Sequence, residues 1–176
     1  MTVADLKKKE HIIDHLLYCW QMEDLVRASQ FQPVLLQQWA AKQAEEAGTD
    51  PEAEERWLLK MAHSLRDSGA KVQGHCSEVQ ETMMELAHLH ELLMNTVKDA
   101  DYIAAFEASK PFLDELSSKS GQNVHPVEQL TIGMYGWLLL RIQKQDISAE
   151  TEAAMVELRN WANALAKGHL KVYQGG

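Results

Sequence analysis

The sequence contains few residues that interrupt helices and few that cross-link small folds. Only nine of its 176 residues are glycine and four are proline. The stretches between them are rich in unbranched residues, which lose the least side-chain freedom in a helix. Two cysteines, Cys19 and Cys76, are too few for a multi-disulfide framework, and each lies among apolar residues, where a thiol behaves as a small hydrophobe. We therefore predict an all-α protein of a reducing compartment.

Basic charge and long apolar runs are also scarce. The chain has 17 Lys and Arg against 26 Asp and Glu, a net charge of −9. Nucleic acids and anionic membranes are bound by clustered basic faces, so neither is expected as a partner. The longest uncharged apolar stretch, residues 129–140, is shorter than the roughly 20 residues that span a bilayer. Asp14 and His15 interrupt the apolar run near the N-terminus, unlike a signal-peptide core, so we expect a cytoplasmic protein.

Local start and stop signals predict a single-domain helical bundle of about six to seven helices over residues 1–168, with a C-terminal tail at 169–176. Thr2 and Asp5 have the spacing of a capping box, and Asp50, Asp99 and Ser148 are suited to cap later helices. Pro111 is expected either to kink or to divide the helix that contains it. The expected helices cover about residues 2–29, 33–48, 51–68, 72–97, 99–116, 126–140 and 148–168.

Two helical segments carry distinctive apolar patterns. In the fourth, apolar side chains and one histidine recur at alternating steps of four and three; this heptad seam consists of Val72, Cys76, Val79, Met83, Leu86, His90, Leu93 and Val97. Such a seam serves either an intramolecular bundle or a dimeric coiled coil. The segment 126–140 is apolar on nearly all sides, which predicts that it is the central buried helix.

Five polar residues fall where the helical pattern calls for apolar ones. Glu23 and Arg27 continue the apolar face of the first predicted helix, with Asp24 beside them; His90 occupies the heptad seam, and Arg141 is in line with the apolar residues of the sixth helix. A buried charge needs a partner. We predict that the five form a polar constellation between helices that could hold a small anionic ligand or support acid-base chemistry. A structural salt-bridge network, or a helix end outside the core, is the alternative.

Two histidine pairs have the spacing of metal ligands. His11 and His15 are one turn apart, but they flank the apolar face. Glu85 and His88 have the Glu-x-x-His spacing of di-iron bundles, which require two such motifs, and this chain has a single copy that lies off the heptad seam. We therefore expect neither a metal nor another cofactor, and we assign no catalytic residue.

The segment 17–28, Leu-Tyr-Cys-Trp-Gln-Met-Glu-Asp-Leu-Val-Arg-Ala, resembles the N-terminal segment of an uncharacterised bacterial family. That family consists of cytoplasmic all-helical proteins of about this length and is described as a domain of unknown function. The resemblance implies a bacterial all-α protein and carries no activity, cofactor or catalytic residue. It adds weight to Trp20, Glu23, Asp24 and Arg27 as distinctive residues.

These observations favour a non-enzymatic helical protein-interaction or scaffold protein, with self-association as a homodimer among its expected modes. Its acidic helices or its heptad seam would contact the partner. The alternative is a small-ligand-binding or catalytic helical bundle that uses the Glu23 and Arg27 cluster. A broad exposed apolar surface would favour the first hypothesis, whereas a water-accessible pocket with a free arginine would favour the second.

Overall fold

The computed structural model of the chain describes residues 1–175. This part of the chain is all-α, as predicted, and contains eight α-helices and a π-helical turn rather than six to seven helices. The elements are α1 (Val3–Glu10), α2 (Ile12–Ala28), α3 (Pro33–Ala47), α4 (Pro51–Asp67), α5 (Ser77–Glu91), the π-helical turn (Leu92–Thr96), α6 (Ala100–Ser120), α7 (Pro126–Ile142) and α8 (Ala149–Tyr173).

The extra helix arises because the first predicted helix is divided at His11. His11 has an extended backbone (φ −157°, ψ 107°), and its Nδ1 atom accepts a hydrogen bond from the N–H of Asp14 at 3.3 Å. A side-chain acceptor at this position satisfies one of the free N–H groups in the first turn of α2. His11 is therefore the N-terminal cap of α2.

The capping residues expected from the sequence are confirmed. Thr2 and Asp5 form a reciprocal capping box at the start of α1. Asp50 accepts the N–H of Glu52 at the start of α4. Asp99 and Ser148 cap α6 and α8 in the same way, each accepting the N–H of the residue three positions further on. These helix starts are set by local interactions, which explains why the sequence predicts them.

The described chain divides into two compact units, residues 1–82 and residues 83 onward. In the first unit, α2 packs against α1 and α4, and α3 packs against α4. The core of this unit is densely apolar along α2, where Ile12, Ile13 and Leu16 are at most 1% exposed. The single-domain organisation over residues 1–168 stays a prediction.

In the second unit, α6, α7 and α8 pack against one another, and α6 also contacts the π-helical turn. Trp161 of α8 is completely buried at the centre, next to the ring of Phe106 of α6 at a centroid distance of 4.9 Å. The helix α8 continues beyond the predicted stop at Gly168 and ends at Tyr173, so His169 is helical and buried rather than part of a tail. Gly168 lies inside α8 and packs against Leu93, where an added Cβ would lie 2.7 Å from Cδ1.

The heptad seam is buried inside the chain from Cys76 to Leu93, except for the half-buried Met83. The first and last seam residues do not follow the pattern: Val72 is 88% exposed and Val97 is 56% exposed. Val72 lies in the loop before α5, which begins only at Ser77. This seam therefore serves intramolecular packing.

The helix α6 is longer than predicted. Pro111 lies inside it without dividing it, and the helix continues to Ser120, through residues that the sequence assigned to a loop. Gly121 ends it in the left-handed conformation (φ 65°) and donates its N–H to the Ser117 carbonyl. A glycine in this conformation is a common helix stop because it has no Cβ to clash.

The prediction that the helix beginning at Pro126 is the central buried one is correct for its first half alone. Val127, Leu130 and Met134 of α7 are buried, whereas no residue of α7 after Met134 is. The apolar pattern continues to Ile142, which is 57% exposed. The second half of this apolar helix is therefore half-buried or exposed rather than part of a core.

Candidate functional site

Glu23 of α2 is the most deeply buried acid of the predicted constellation, with 1% of its surface exposed. One carboxylate oxygen, Oε1, accepts the backbone N–H of Cys76 at 2.7 Å, and the other, Oε2, lies 2.7 Å from Nδ1 of His75. Both partners belong to the end of the loop between α4 and α5. The buried carboxylate is thus compensated by two short hydrogen bonds, which is what a charge in a low-dielectric interior requires.

Arg27 lies one turn further along α2 and contacts the same loop. Its Nε and Nη2 atoms donate to the carbonyl of Ala70 at 3.3 and 3.1 Å, and Nη2 also donates to the carbonyl of Gly74. Its Nη1 atom donates to Oδ1 of Asp24 at 3.3 Å. Glu23 and Arg27 do not bond to each other; each bonds separately to the loop 70–76. Together they hold this loop, which has no regular structure of its own, against α2.

His75 is the residue of this cluster that sequence reasoning missed. Besides its bond to Glu23, its ring stacks on Trp20, with centroids 4.5 Å apart and planes inclined by 24°. His75 lies in a glycine-containing loop, where helical periodicity gives no signal. Trp20 was indicated by the family resemblance, and its stacking on His75 gives a physical role to one of the family's distinctive residues.

The two cysteines of this unit are held as neutral thiols. Burial raises the pKa of Cys76 to about 12, and it also raises the pKa of Cys19 well above its ordinary value. His15 lies beside Cys19, with its Nε2 atom 3.6 Å from Sγ, and burial lowers the pKa of this histidine. The Nδ1 atom of His15 is 2.9 Å from the carbonyl of Ala4, which requires a proton on Nδ1. The pair has the composition of a cysteine-histidine dyad, but burial favours its uncharged form.

His90, the fourth predicted residue, lies in the second unit inside a cluster of aromatic rings. Its Nδ1 atom is 2.7 Å from the hydroxyl of Tyr102, and its ring meets those of Phe106 and Trp161 edge to face at 4.7 and 5.7 Å. Burial, followed by the neighbouring charge of His125, lowers the pKa of His90 to about 4. A neutral, hydrogen-bonded imidazole at a seam position is compatible with a packed helical core.

His125 connects this cluster to a surface carboxylate. Its Nδ1 atom accepts the N–H of Val127 at 3.1 Å, as the cap of α7. The Nε2 atom lies 3.6 Å from Oε1 of Glu91, and the His125 ring meets the His90 ring at 5.4 Å.

Arg141, the fifth predicted residue, is exposed near the end of α7. Its guanidinium lies 4.7 Å above the ring of Trp137. The five predicted residues therefore have separate local partners: Glu23, Asp24 and Arg27 lie in the first unit, and His90 and Arg141 in the second. The functional role of the five stays a prediction.

Glu85 of the Glu85 and His88 motif is paired with a histidine of another helix. Oε1 of Glu85 lies 2.7 Å from Nε2 of His169, a buried residue of α8. Across residues 1–175, no group of three or more His, Cys, Asp or Glu side chains is placed to hold a metal ion. Nor does any helix in this range have the length and apolar character to cross a membrane.

The largest departure from a packed bundle is the end of the α7 and α8 hairpin. From Tyr135 to Glu157 no residue is buried, and we call this segment the α7–α8 tip. It is nevertheless rich in large apolar side chains: Tyr135, Trp137, Leu138, Leu139, Leu140, Ile142, Ile147, Met155 and Val156. Of these, Ile142 and Val156 are 57% and 58% exposed.

Two grooves flank the start of α8 within the tip. One, of about 270 Å³, lies between Trp137 of α7 and the Glu152, Met155 and Val156 face of α8. The other, of about 440 Å³, lies between the end of α6 and an adjoining face of α8, with Phe112 among its apolar lining residues and Met155 lining both grooves. The tip is therefore a ridged apolar surface rather than a single closed pocket.

Comparison with known proteins gives a family and no function. No curated protein and no solved structure matches the chain. The family described as "Domain of unknown function (DUF4924)" matches it over residues 1–176, the whole of the sequence. The chain belongs to this family of unknown function.

Proposed function

We propose that the chain is a non-enzymatic helical protein-interaction protein whose docking surface is the α7–α8 tip. The observation that carries this proposal is the absence of any buried residue from Tyr135 to Glu157, although α7 is apolar on nearly all sides as far as Leu140. A helix that is apolar all round is normally covered on all sides. Contiguous exposed apolar patches on otherwise polar proteins mark interaction surfaces.

The energetic reason is the apolar area that a partner would remove from water. Each square ångström of buried apolar surface contributes roughly 25 cal/mol. Side chains as exposed as Ile142 and Val156 gain little from folding of the isolated chain, but they would contribute to binding. Trp137 and Arg141 add an aromatic ring and a guanidinium, the side-chain types enriched at protein interfaces.

The polar clusters support this proposal over the ligand-binding alternative. Both carboxylate oxygens of Glu23 and most of the donors of Arg27 are engaged with the loop 70–76. A small anion would have to break these bonds to reach the guanidinium. The cluster is therefore better suited to holding the loop 70–76 in place than to binding a small anion.

The proposal is tested by photo-crosslinking in the cells from which the chain comes. A benzophenone amino acid is placed at Val156, in the tip, and in a separate variant at Val34 of α3. Val34 is a matched control, because it is a helical valine of similar exposure, 63% against 58%. We expect a discrete protein adduct from Val156, identified by mass spectrometry, and none of comparable yield from Val34. Absent or equally weak adducts from both positions would contradict the proposal.

A further inference from the structure

We infer that the protein bound at the α7–α8 tip is a second copy of this chain, with the two hairpins side by side about a twofold axis parallel to α7 and α8. This inference rests on the proposed function and adds the identity and orientation of the partner. The resulting dimer would have a four-helix arrangement in which α7 of one copy faces α8 of the other. Each helix would then have antiparallel neighbours, as in common four-helix bundles.

The charges of the tip favour this orientation. The end of α7 is basic, with Arg141 and then Lys144, and the start of α8 is acidic, with Glu150 and Glu152. Trp137 shares a groove with Glu152, so Arg141, one turn beyond Trp137, lies level with the first turns of α8.

A parallel twofold axis keeps every residue of one copy at the same level as in the other. Arg141 of each copy would therefore face Glu152 of the second copy, which makes two favourable pairs. A perpendicular axis through Trp137 would instead place Arg141 level with Arg159, which lines the far end of the same groove. Like charges placed opposite each other oppose association, so the parallel axis is the favoured one.

Gly136 provides an independent reason for close approach by another chain. It lies within α7, is exposed, and has no atom within 4 Å of the position that a Cβ would occupy. A glycine in a helix interior costs roughly 1 kcal/mol relative to alanine, and no packing contact within residues 1–175 offsets that cost. A bare backbone beside Trp137 does, however, allow a second helix to approach closely.

The experiment is sedimentation velocity of the purified full-length chain over a wide concentration range, with Arg141→Glu and Glu152→Arg as variants. We expect a dimer for the unmodified chain. Each charge reversal alone places like charges opposite each other at both contacts and should weaken dimerisation by about tenfold or more.

An equimolar mixture of the two variants restores opposite charges at both contacts of the mixed dimer. In one contact the glutamate introduced in the first variant meets the arginine introduced in the second. In the other contact the unchanged Arg141 of the second variant meets the unchanged Glu152 of the first. Dimerisation in the mixture should therefore recover.

Recovery on mixing distinguishes an intermolecular pair from a structural one, because a contact within each chain stays broken in the mixture. Circular dichroism confirms that each variant is folded, and Val34→Glu serves as a charge-changing control that should leave the dimer intact. A chain that is monomeric at all concentrations would overturn the inference. If Val156 then crosslinks to a different protein in cells, the proposed function stands without it. A dimer that does not respond to either reversal, or that does not recover on mixing, would overturn the parallel orientation.

Discussion

Two interior helical glycines should respond differently to the same substitution. Gly136 of α7 faces open space, whereas a Cβ on Gly168 of α8 would lie 2.7 Å from Cδ1 of Leu93 and within 3.7 Å of two further atoms of that side chain. Leu93 is 5% exposed, so it has little room to move. Changing each glycine to alanine therefore adds the same methyl group to two different environments.

The magnitudes follow from two opposing effects. Alanine gains roughly 1 kcal/mol over glycine in a helix interior at either site. At Gly168 this gain is opposed by overpacking against Leu93, which typically costs about 1–3 kcal/mol. We expect Gly136→Ala to raise the free energy of unfolding by about 1 kcal/mol and Gly168→Ala to leave it unchanged or lower it by up to about 2 kcal/mol.

The assay is urea unfolding followed by circular dichroism, with both substitutions made in a Val156→Glu background. This background removes any contribution from association at the tip, because stability in an oligomer depends on protein concentration. Equal slopes of free energy against urea show that the variants unfold the same surface. If Gly168→Ala stabilised the chain as much as Gly136→Ala, the contact with Leu93 would impose no constraint, and the reasoning from Cβ geometry would be refuted.

Three further predictions concern the polar clusters. Glu23→Ala should lower the free energy of unfolding in urea by about 2–4 kcal/mol, because buried donors lose their acceptor. As a control, Asp24→Asn at the neighbouring exposed position should change it by less than about 0.5 kcal/mol. Similar effects of the two substitutions would show that the bonds of Glu23 contribute little to stability. Burial lowers the pKa of His90 from 6.5 to about 4, so between these pH values the unfolded state binds a proton that the folded state does not bind. The free energy of unfolding therefore has its full value above pH 6.5 and falls by about 3 kcal/mol on acidification to pH 4. Urea titrations across this window should give a shallower pH dependence for His90→Gln, and an unchanged dependence would contradict the assignment. Arg27→Ala should free the loop 70–76 and speed the alkylation of Cys76 by iodoacetamide at least about tenfold, as read by peptide mass spectrometry, with the second buried cysteine unaffected; equal acceleration of both thiols would indicate global destabilisation instead.

Helix starts could be read from the sequence more reliably than helix ends. The capping side chains of Thr2, Asp50 and Asp99 bond to backbone groups two or three residues away, so a short window of sequence contains the whole interaction. The continuation of α8 through Gly168 could not be read in this way. The glycine packs against Leu93, which is remote in sequence, and a glycine is equally suited to end a helix or to allow close packing.

Some residues of the candidate site could be predicted from the sequence and others could not, again because only local and periodic features are visible in it. Projection on a helix correctly identified Glu23 and His90 as buried, because burial of one helix face repeats every turn. It could not identify His75 or Tyr102 as their partners, since these contacts join residues whose separation along the chain follows no helical period. Arg141 projected onto an apolar stripe, yet it is exposed, because projection cannot show how far a neighbouring element covers that end of α7.

The sequence by itself determined the all-α class, the main helix starts and the buried heptad seam, because these depend on local capping, side-chain propensity and periodic burial. Tertiary structure alone decided which apolar surfaces are covered. Periodicity shows that α7 is apolar on nearly all sides, but burial requires another element to lie against it. In this chain α7 packs against α6 and α8, but its buried residues all lie in its first half and none lies in the part that belongs to the tip. The proposed interaction surface is therefore a property of packing that the sequence pattern could not distinguish from a core.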